Sequence, residues 1–366
     1  MNISLEILIL VVGAVIGYFI DQFIPIIGNQ FTRYKKKRDW KKSESIRSRV
    51  STLQSRIVTV QTGWENGIFE DEDEILITVH GNFFLNGKIR DYIYSKRFPK
   101  WESDDLRDDP HFGVMSISPH RLHSDTSYNT PSHQLSIKGH KYSFFEFLAT
   151  NKILANGSIQ EQEFLRDFVS QPSFQDPVPA FANPLSVGLS VFCEDGNFLV
   201  ITRRSILPSS GGHHEPNMYY NAVGENMTLT DTYGLTHQGH TRLSPWITAK
   251  RGLHEEMGIA FDDKTMDLIL HTFTWDNHLL DYKFFGACKT SLSREQTRSS
   301  WIQASDKNEN SEIFFLPCKS EYQVKEIFKG MSENQAEWSD ECVYCTIYSM
   351  LHLGKLSSIR RCEYFL

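Results

Sequence analysis

Cysteine is scarce in this sequence, with six in 366 residues, and only Cys342 and Cys345 form a C-x-x-C pair. So few cysteines in a chain of this length do not indicate a disulfide framework. A structural zinc site usually needs four close ligands, and no second pair accompanies the first, although His352 would add a third ligand. Because the pair lies in a stretch with helical spacing, we predict buried thiols on a helix face, with a zinc site as the alternative.

An excess of basic residues is also lacking, since the net charge is −7. Up to Arg56 the chain has ten Lys and Arg against four Asp and Glu, which gives +6 and leaves −13 for the rest. Nucleic-acid binding requires clustered Lys and Arg, so the acidic body argues against nucleic acid as the main partner. A compact basic segment beside an apolar one favours the membrane lipid bilayer as a partner instead.

The apolar segment is at the N-terminus. Residues 7–20 carry no charge, and residues 23–27 extend the run to the ~20 residues that a bilayer core requires. The basic stretch RYKKKRDWKK follows and is expected to stay cytoplasmic. We therefore predict a single-pass helix in the cell membrane, with the N-terminus outside and the C-terminal domain in the cytoplasm. The alternatives are a cleaved signal peptide, whose basic residues would precede the run, and an apolar helix packed on the body.

Four segments are predicted along the chain: the transmembrane helix over 1–28, a basic juxtamembrane linker over 29–58, an α+β module of unknown role over 59–176, and a last domain over 177–366. Pro177 and Pro179 mark the boundary before the last domain. In the module, alternating apolar residues around Asn86 and Gly87 predict a β-hairpin. The stretch 100–140 is rich in Asp, Ser, Pro and His and is predicted as loop, followed by helices over 142–154 and 159–169.

The last domain has a clear order of elements. Strands are predicted in LSVFCEDGNFLVITRRS, on both sides of an Asp-Gly turn, and in MYYNAVGE, DLILHTFTW, YKFFGACKTSL and EIFFLPC. Helices are predicted in PWITAKRGLHEEMGI, which Gly258 ends, and in SDECVYCTIYSMLHLGK, with Gly354 beyond its end. Strands that frame a central helix, with a second helix at the end, predict a layered α/β/α domain.

The most informative run for chemistry is AKRGLHEEMGI, at positions 249–259. On a helix, Arg251 precedes Glu255 by four residues, so the two side chains can pair. Glu255 and Glu256 are adjacent, about 100° apart around the helix axis, and can offer two carboxylates to one cation. Hard oxygen ligands of this kind suit Mg²⁺ or Mn²⁺ bridging phosphates. The alternative is an ordinary exposed Glu-Glu pair on an amphipathic helix.

This run resembles the second half of the signature of the Nudix (MutT-like) hydrolase family, R-E-(apolar)-x-E-E-x-G-(apolar), with eight of its nine positions compatible. The strand FLVITRRS and the turn at Gly224 also resemble the family's elements before its helix. The resemblance implies a Nudix-type α/β/α sandwich with a mixed sheet, preceded by the transmembrane helix and the small α+β module. It further implies Mg²⁺- or Mn²⁺-dependent hydrolysis of a nucleoside diphosphate linked to another moiety.

The same resemblance implies roles for individual residues. Catalysis would fall to Arg251, Glu255 and Glu256, metal binding to Glu225, Glu255 and Glu256, and substrate binding to Arg203, Arg204 and Gly224. For the two strand arginines the alternative is a solvent-facing strand end. Four histidines near the predicted turn permit metal binding by their H-x-x-H spacing or contact with substrate, although solvated loop positions are the alternative: His213, His214, His237 and His240.

The sequence departs from the family pattern at several positions. Gly252 stands where the family has its first signature Glu, so at least one metal ligand is missing. The first half of the signature is absent, with Leu243 where a Glu would stand, and the insertion NMTLTDTYGLTHQGHTR separates Gly224 from the helix. Carboxylates elsewhere are expected to compensate: Glu225 on the turn, or Asp276, Asp281 and Glu312 from later loops.

Three functions follow from these patterns. The first is a membrane-anchored pyrophosphohydrolase, for which metal-dependent release of a monophosphate should be abolished by Glu256→Gln. The second is a catalytically weak or inactive nucleotide-sensing module coupled to the membrane helix, which nucleotide should stabilise without turnover. The third is an interaction module that uses neither metal nor nucleotide. The oligomeric state is open.

Overall fold

The computed structural model describes residues 57–62, 67–69, 74–101, 110–119, 135–169, 173–205, 217–236, 238–262, 264–334 and 337–356. The predicted transmembrane helix over 1–28, and the predicted linker over 29–58 up to residue 56, lie outside these residues. Among the described residues, no helix combines the length and apolarity needed to cross a bilayer.

Thirteen strands form two mixed sheets within the described residues. In chain order they are β1 (Ile57–Thr62), β2 (Ile75–Asn82), β3 (His111–Pro119), β4 (Leu135–Tyr142), β5 (Leu185–Cys193), β6 (Phe198–Arg204), β7 (Tyr219–Asn221), β8 (Val223–Asn226), β9 (Thr232–Leu235), β10 (Thr241–Leu243), β11 (Met266–Asp276), β12 (Asp281–Thr290) and β13 (Asn310–Pro317).

The first sheet has eight strands in the order β1-β11-β12-β5-β6-β13, with β8 also paired to β5 and β7 to β6. Its strands are antiparallel except for β5 and β12, which are parallel. The second sheet has the order β3-β4-β2-β10-β9, with β2 and β4 parallel. The chain is thus a mixed α/β protein.

Eight α-helices accompany these sheets in the described residues. They are α1 (Gly87–Trp101), α2 (Phe144–Phe147), α3 (Ile153–Asn156), α4 (Ile159–Arg166), α5 (Pro245–Met257), α6 (Arg294–Ile302), α7 (Glu321–Glu333) and α8 (Asp340–His352). A π-helical turn (Leu148–Lys152) joins α2 to α3, and a 3-10 turn (Lys307–Glu309) precedes β13.

Successive side chains along a strand point to opposite faces of a sheet. Both faces of the first sheet carry apolar side chains, and helices cover both of them. Along β6, Val200 belongs to the apolar cluster that includes α5, whereas Leu199 and Ile201 belong to the cluster that includes α7 and α8. Full burial of such side chains contributes roughly 1.5–3 kcal/mol each. This packing on two faces fixes α5 against the centre of the sheet, beside β5 and β8.

The predicted elements of the last domain are largely confirmed. Helix α5 begins at Pro245 and ends before Gly258, whose φ of 64° is the left-handed conformation that glycine adopts without steric penalty. Helix α8 ends before Gly354, which also has a positive φ, of 67°. Strands β5 and β6 flank the predicted Asp-Gly turn.

The predicted hairpin around Asn86 and Gly87 is wrong, because Gly87–Trp101 is the helix α1. Asn86 Oδ1 accepts a hydrogen bond of 3.0 Å from the amide of Lys88, and its carbonyl accepts from Arg90. Asn86 therefore starts a helix here and not a hairpin turn. Two fully buried isoleucines four residues apart, Ile89 and Ile93, face the core at helical spacing.

The predicted loop over 100–140 is also wrong in part, because it contains β3 and most of β4. Phe112 and Val114 in β3, and Leu135 and Ile137 in β4, are fully buried at a spacing of two residues. This strand periodicity was outweighed in the sequence by the surrounding Asp, Ser, Pro and His.

Strand pairing crosses the predicted domain boundary between residues 176 and 177. β1 pairs antiparallel with β11 in the first sheet, and β10 pairs antiparallel with β2 in the second. The insertion before α5 therefore forms the strands β9 and β10, which join the sheet of the preceding segment. The boundary itself stays a prediction.

Candidate functional site: a carboxylate cluster around Arg251

Helix α5 presents its charged residues at a defined position because both of its ends are fixed. Ser244 accepts a hydrogen bond of 3.3 Å from the amide of Ile247. Pro245 follows in the first turn, where a backbone N–H would have no partner within the helix, so the N–H that proline lacks costs no hydrogen bond. At the other end the amide of Gly258 donates to the carbonyl of His254. The apolar side of α5 is buried in the core, so Arg251 lies on the opposite, polar side.

The guanidinium of Arg251 uses all five of its N–H groups. Nη1 lies 2.9 Å from Oε1 of Glu225 and 2.9 Å from Oε2 of Glu255, so the predicted pair with Glu255 is present. Nη2 donates to the carbonyl of Asn226 at 2.7 Å and to Oδ2 of Asp231 at 3.0 Å, and Nε donates to Oδ1 of Asp231 at 2.9 Å. Arg251 thus connects three carboxylates that come from different parts of the chain.

Asp231 is the most buried of these carboxylates, with 1% of the residue exposed. Besides Arg251, its Oδ2 accepts hydrogen bonds from the amide of Thr228 at 2.8 Å and from Oγ1 of Thr248 at 2.9 Å. Its carbonyl accepts from the amide of Ser244, at the start of α5. Asp231 therefore ties the turn before β9 to the helix.

The carboxylates of Glu225, Glu255 and Asp306 form a cluster in which one oxygen of each lies within 4.8 Å of the others. The amide of Asp306 donates to the carbonyl of Glu255 at 2.9 Å, which brings the segment after α6 to the end of α5. Burial raises the pKa of Glu225 to about 7, against the opposing effect of Arg251, and Glu255 and Asp306 raise it further. The cluster thus concentrates negative charge at one place.

Glu256 lies beside the cluster but is not one of its three members. Its Oε1 accepts a hydrogen bond of 2.7 Å from the amide of Gly224, and its Oε2 lies 4.0 Å from Nη2 of Arg204. Among the described residues, Oε2 of Glu256 has no hydrogen-bond partner, although only 1% of the residue is exposed. Burial raises the pKa of Glu256 to about 8, and Arg204 opposes this rise.

The absence of a carboxylate at position 252 follows from packing. A Cβ atom on Gly252 would lie 2.6 Å from Cγ1 of Val223 and 3.0 Å from Cβ of Glu225, closer than ordinary van der Waals contact. A side chain at this position would therefore require Val223 on strand β8 to shift. Glu225, on that strand, brings its own carboxylate to the cluster by its pairing with Arg251.

The two strand arginines point to opposite faces of the first sheet. Arg204 is buried, and its Nη1 lies 2.8 Å from Oε2 of Glu309. Arg203 is partly exposed, with Nη1 3.9 Å from Oε2 of Glu312 and Nε 3.1 Å from the carbonyl of Asn217. Only Arg204 is therefore close to Glu256. Substrate binding by Arg203, Arg204 or Gly224 stays a prediction.

The other carboxylates considered from the sequence lie apart from this cluster. Asp276 and Asp281 form a second acidic group with Glu341, and Nζ of Lys283 lies 2.5 Å from Oε2 of Glu341. Burial lowers the pKa of Lys283, but these carboxylates outweigh it and raise the pKa overall. A lysine ammonium thus supplies the positive charge among them.

The thiol and imidazole predictions have separate outcomes. Cys342 and Cys345 are fully buried in α8, as predicted, and Oγ of Ser190 donates to Sγ of Cys345. In the described residues, neither thiol belongs to a group of three metal-ligating side chains. The ring of His240 contacts that of His80 at a tilt of 37°, with ring centroids 4.2 Å apart. The remaining histidines of the predicted cluster lie outside the described residues: His213, His214 and His237.

Sequence reasoning missed Asp231, Asp306 and Glu309. Asp231 lies in the insertion before α5, where the pattern gave no reason to choose it over its neighbours. Asp306 is about 50 residues beyond Glu255 in the chain, and no local spacing connects the two. Glu309 lies outside the strands and helices predicted for the last domain, and no local spacing connects it to Arg204.

The fold and the site define a mixed α/β protein with a carboxylate cluster beside a helix that packs on a mixed sheet. No protein-family model matches the chain, and no curated protein matches it.

Two solved structures are similar to parts of the chain. DR0079 from Deinococcus radiodurans is 14% identical, with a TM-score of 0.26, over 40% of this chain and 73% of that one. A MutT/nudix family protein from Enterococcus faecalis is 15% identical, with a TM-score of 0.25, over 45% of this chain and 54% of that one. At these scores neither similarity establishes a shared fold or activity.

Proposed function

We propose that this chain is a Nudix-type hydrolase that uses a divalent cation, Mg²⁺ or Mn²⁺, to cleave a nucleoside diphosphate linked to another moiety. The observation that carries the proposal is the cluster of Glu225, Glu255 and Asp306, with oxygens within 4.8 Å of one another. It lies at the polar side of the helix that bears the E-E-x-G run, with two of its members held by Arg251. The α/β/α layering of the first sheet agrees with this class.

The donor set suits a hard divalent cation, because all three groups offer carboxylate oxygens. A second feature supports the site: Oε2 of Glu256 is buried and lacks a hydrogen-bond partner among the described residues. A divalent cation bound by Glu225, Glu255 and Asp306 would neutralise diphosphate charge and activate a water. The missing carboxylate at Gly252 would be replaced by Glu225 and Asp306.

The protein's own residues would position and move protons. Arg251 holds Glu225 and Glu255 in fixed orientations through its Nη1. Glu256 is fixed by the amide of Gly224, and its raised pKa, about 8, allows it to exchange a proton near neutral pH. Arg204, anchored by Glu309, would supply positive charge for a phosphate.

The test is a screen of nucleoside diphosphate derivatives with Mg²⁺ and Mn²⁺, in which released phosphate species are measured. We expect metal-dependent release of a monophosphate from wild type, and a loss of at least about 10- to 100-fold in Glu255→Gln and Asp306→Asn. Glu333→Gln, on the exposed side of α7, is the matched control and should retain full activity. Release that is independent of metal, or equal in all variants, would refute the proposal.

A nucleotide-sensing module without turnover is the second candidate, and the packing at Gly252 favours it. A carboxylate at position 252, where the family has its first signature Glu, would clash with Val223 on β8 unless Val223 shifted. This candidate predicts that nucleotide raises the melting temperature of wild type while no product is released. Product release above the level of Glu255→Gln would exclude it.

The membrane anchor and its orientation are part of the same proposal and rest on the apolar run over 7–20 and the basic residues that follow. The full chain should remain in the membrane fraction after alkaline carbonate washing. Protease added outside intact cells should leave the C-terminal domain uncut. Recovery of the full chain in the carbonate supernatant would contradict the anchor.

A further inference from the structure

We propose that Asp231 is a positioning residue for the metal site: it orients Arg251 so that one guanidinium nitrogen holds both Glu225 and Glu255. This inference rests on the proposed function, since the two glutamates matter as cation ligands. Asp231 itself is outside the carboxylate cluster and lies in the insertion that the sequence left without a role.

The contact between Asp231 and Arg251 is bidentate. Oδ1 accepts from Nε at 2.9 Å and Oδ2 accepts from Nη2 at 3.0 Å. Two parallel bonds between a planar guanidinium and a planar carboxylate fix the rotation of the arginine head, which a single bond would not do. The remaining nitrogen, Nη1, is thereby directed away from Asp231.

Asp231 is itself held rigidly. Its Oδ2 also accepts from the amide of Thr228 at 2.8 Å and from Oγ1 of Thr248 at 2.9 Å, and only 1% of the residue is exposed. A carboxylate with this many donors has little rotational freedom. The orientation of Arg251 therefore follows from the fold of the turn before β9.

The consequence appears at Nη1, which lies 2.9 Å from an oxygen of Glu225 and 2.9 Å from an oxygen of Glu255. One nitrogen that donates to both carboxylates sets the spacing between them before any cation arrives. Groups that orient the ligands of a metal in this way typically change its affinity by about 10- to 100-fold when they are removed.

The charge of Asp231, like its contact geometry, favours binding of a cation by Glu225 and Glu255. The positive charge of Arg251 opposes a cation that is bound by Glu225 and Glu255, because it lies against both. Asp231 neutralises this charge from the far side of the guanidinium. Without Asp231, the arginine would reduce the attraction of the cluster for a divalent cation.

The test compares Asp231→Asn with Thr248→Val in the full chain. In asparagine one of the two oxygens becomes an NH2 group that can only donate, so the two parallel bonds from Nε and Nη2 to separate oxygens cannot both form. Thr248→Val removes one hydrogen-bond donor to Asp231 and leaves the bidentate contact between Asp231 and Arg251 intact. This variant therefore measures only the structural role of the turn before β9. Mn²⁺ affinity is measured by electron paramagnetic resonance, and the melting temperature of the metal-free protein is measured in parallel.

We expect Asp231→Asn to weaken Mn²⁺ binding at least tenfold, and Thr248→Val to lower the melting temperature while Mn²⁺ affinity stays within twofold of wild type. Equal Mn²⁺ affinity in Asp231→Asn and wild type would overturn the positioning role. So would an equal loss of affinity in the two variants, because Asp231 would then act only through the stability of the turn.

A second measurement does not depend on metal. In wild type labelled with ¹⁵N-arginine, Arg251 should give two separate Nη signals, because its head is held from both sides; its resonances are identified by their loss in Arg251→Lys. One averaged signal would overturn the proposal. If wild type binds no Mn²⁺, the metal-dependent function fails, while merging of the two Nη signals into one in Asp231→Asn would still show that Asp231 fixes the arginine. Two separate signals in Asp231→Asn would overturn the proposal.

Discussion

The amide of Gly224 donates a 2.7 Å hydrogen bond to Oε1 of Glu256, which joins strand β8 to helix α5 next to the carboxylate cluster. The bond satisfies one oxygen of a glutamate that is almost wholly buried, and the other oxygen lies 4.0 Å from Arg204. Glu256 is therefore part of the packing between β8 and α5. Its burial also makes the stability of the protein depend on pH.

Stability of the metal-free protein should fall as pH rises from about 5 to 8. Burial raises the pKa of Glu256 from 4.5 to about 8 in the folded protein. Over this range the unfolded chain loses its proton while the folded protein keeps it, so the contribution is complete below pH 4.5 and is lost as pH passes 8. The slope is at most about 1.4 kcal/mol per pH unit for each such proton.

Urea denaturation at several pH values, in the presence of a chelator, measures this slope. Glu256→Gln should reduce it, and Glu225, whose pKa is raised to about 7, should account for what remains. If the slope in Glu256→Gln equals that of wild type, Glu256 does not carry the raised pKa.

Gly252→Ala should destabilise the protein by about 1–3 kcal/mol, because its Cβ would lie 2.6 Å from Cγ1 of Val223. Helix propensity alone would predict a gain of about 1 kcal/mol. Gly330→Ala in α7 is the matched control, since no atom lies within 4 Å of a Cβ at that position. It should stabilise slightly, as measured by urea denaturation.

Under the proposed hydrolase function, the same packing predicts that Gly252→Glu will not raise turnover, even though it places a Glu where the Nudix signature that this run resembles has one. Gly252→Ala combined with Val223→Ala should recover part of the lost stability, because the second change removes the clashing methyl groups. A gain of turnover in Gly252→Glu would mean that β8 can move away from α5.

Arg204→Met should destabilise the protein by about 1.5–3 kcal/mol, because it removes the 2.8 Å charged hydrogen bond between buried Arg204 and Glu309. Glu256 adds little to this loss at neutral pH, because its raised pKa, about 8, leaves it largely protonated. Arg203→Met is the matched control, on the next residue of the same strand. Its partner Glu312 is exposed and 3.9 Å away, so the change should be within about 1 kcal/mol. Similar losses in the two variants, by thermal or urea unfolding, would contradict the difference in their burial.

Cys342 and Cys345 should be unreactive in the native protein. Burial raises the pKa of Cys345 to about 11 and that of Cys342 well above its usual value, so neither is a thiolate at neutral pH. Thiol titration with a chromogenic disulfide should modify them only after unfolding, and metal analysis should find no zinc. Stoichiometric zinc that depends on either cysteine would restore the zinc site as an explanation of the pair.

Local sequence signals predicted the elements that depend on local structure. Ser244, Pro245 and Gly258 specify both ends of α5. Arg251 and Glu255 are four residues apart, and helix geometry alone places such side chains within pairing distance. The alternation of β5 and β6 around an Asp-Gly turn is equally local. The hairpin prediction at Asn86 failed where two local signals competed, a turn dipeptide and a helix start, and burial of Ile89 and Ile93 decided between them.

The sequence by itself thus determined α5, its acidic pair and the layered α/β character of the last domain. Only the tertiary structure decided that Asp231 and Asp306 join the site, that Val223 on β8 packs closely against Gly252, and that Glu256 faces Gly224 and Arg204. It also decided that β1 belongs to the first sheet and β9 and β10 to the second. The physical reason is that these contacts depend on strand pairing and helix packing between segments that are distant in the sequence. Which segments pair is determined by the burial of large apolar surfaces, and no short stretch of sequence contains that information.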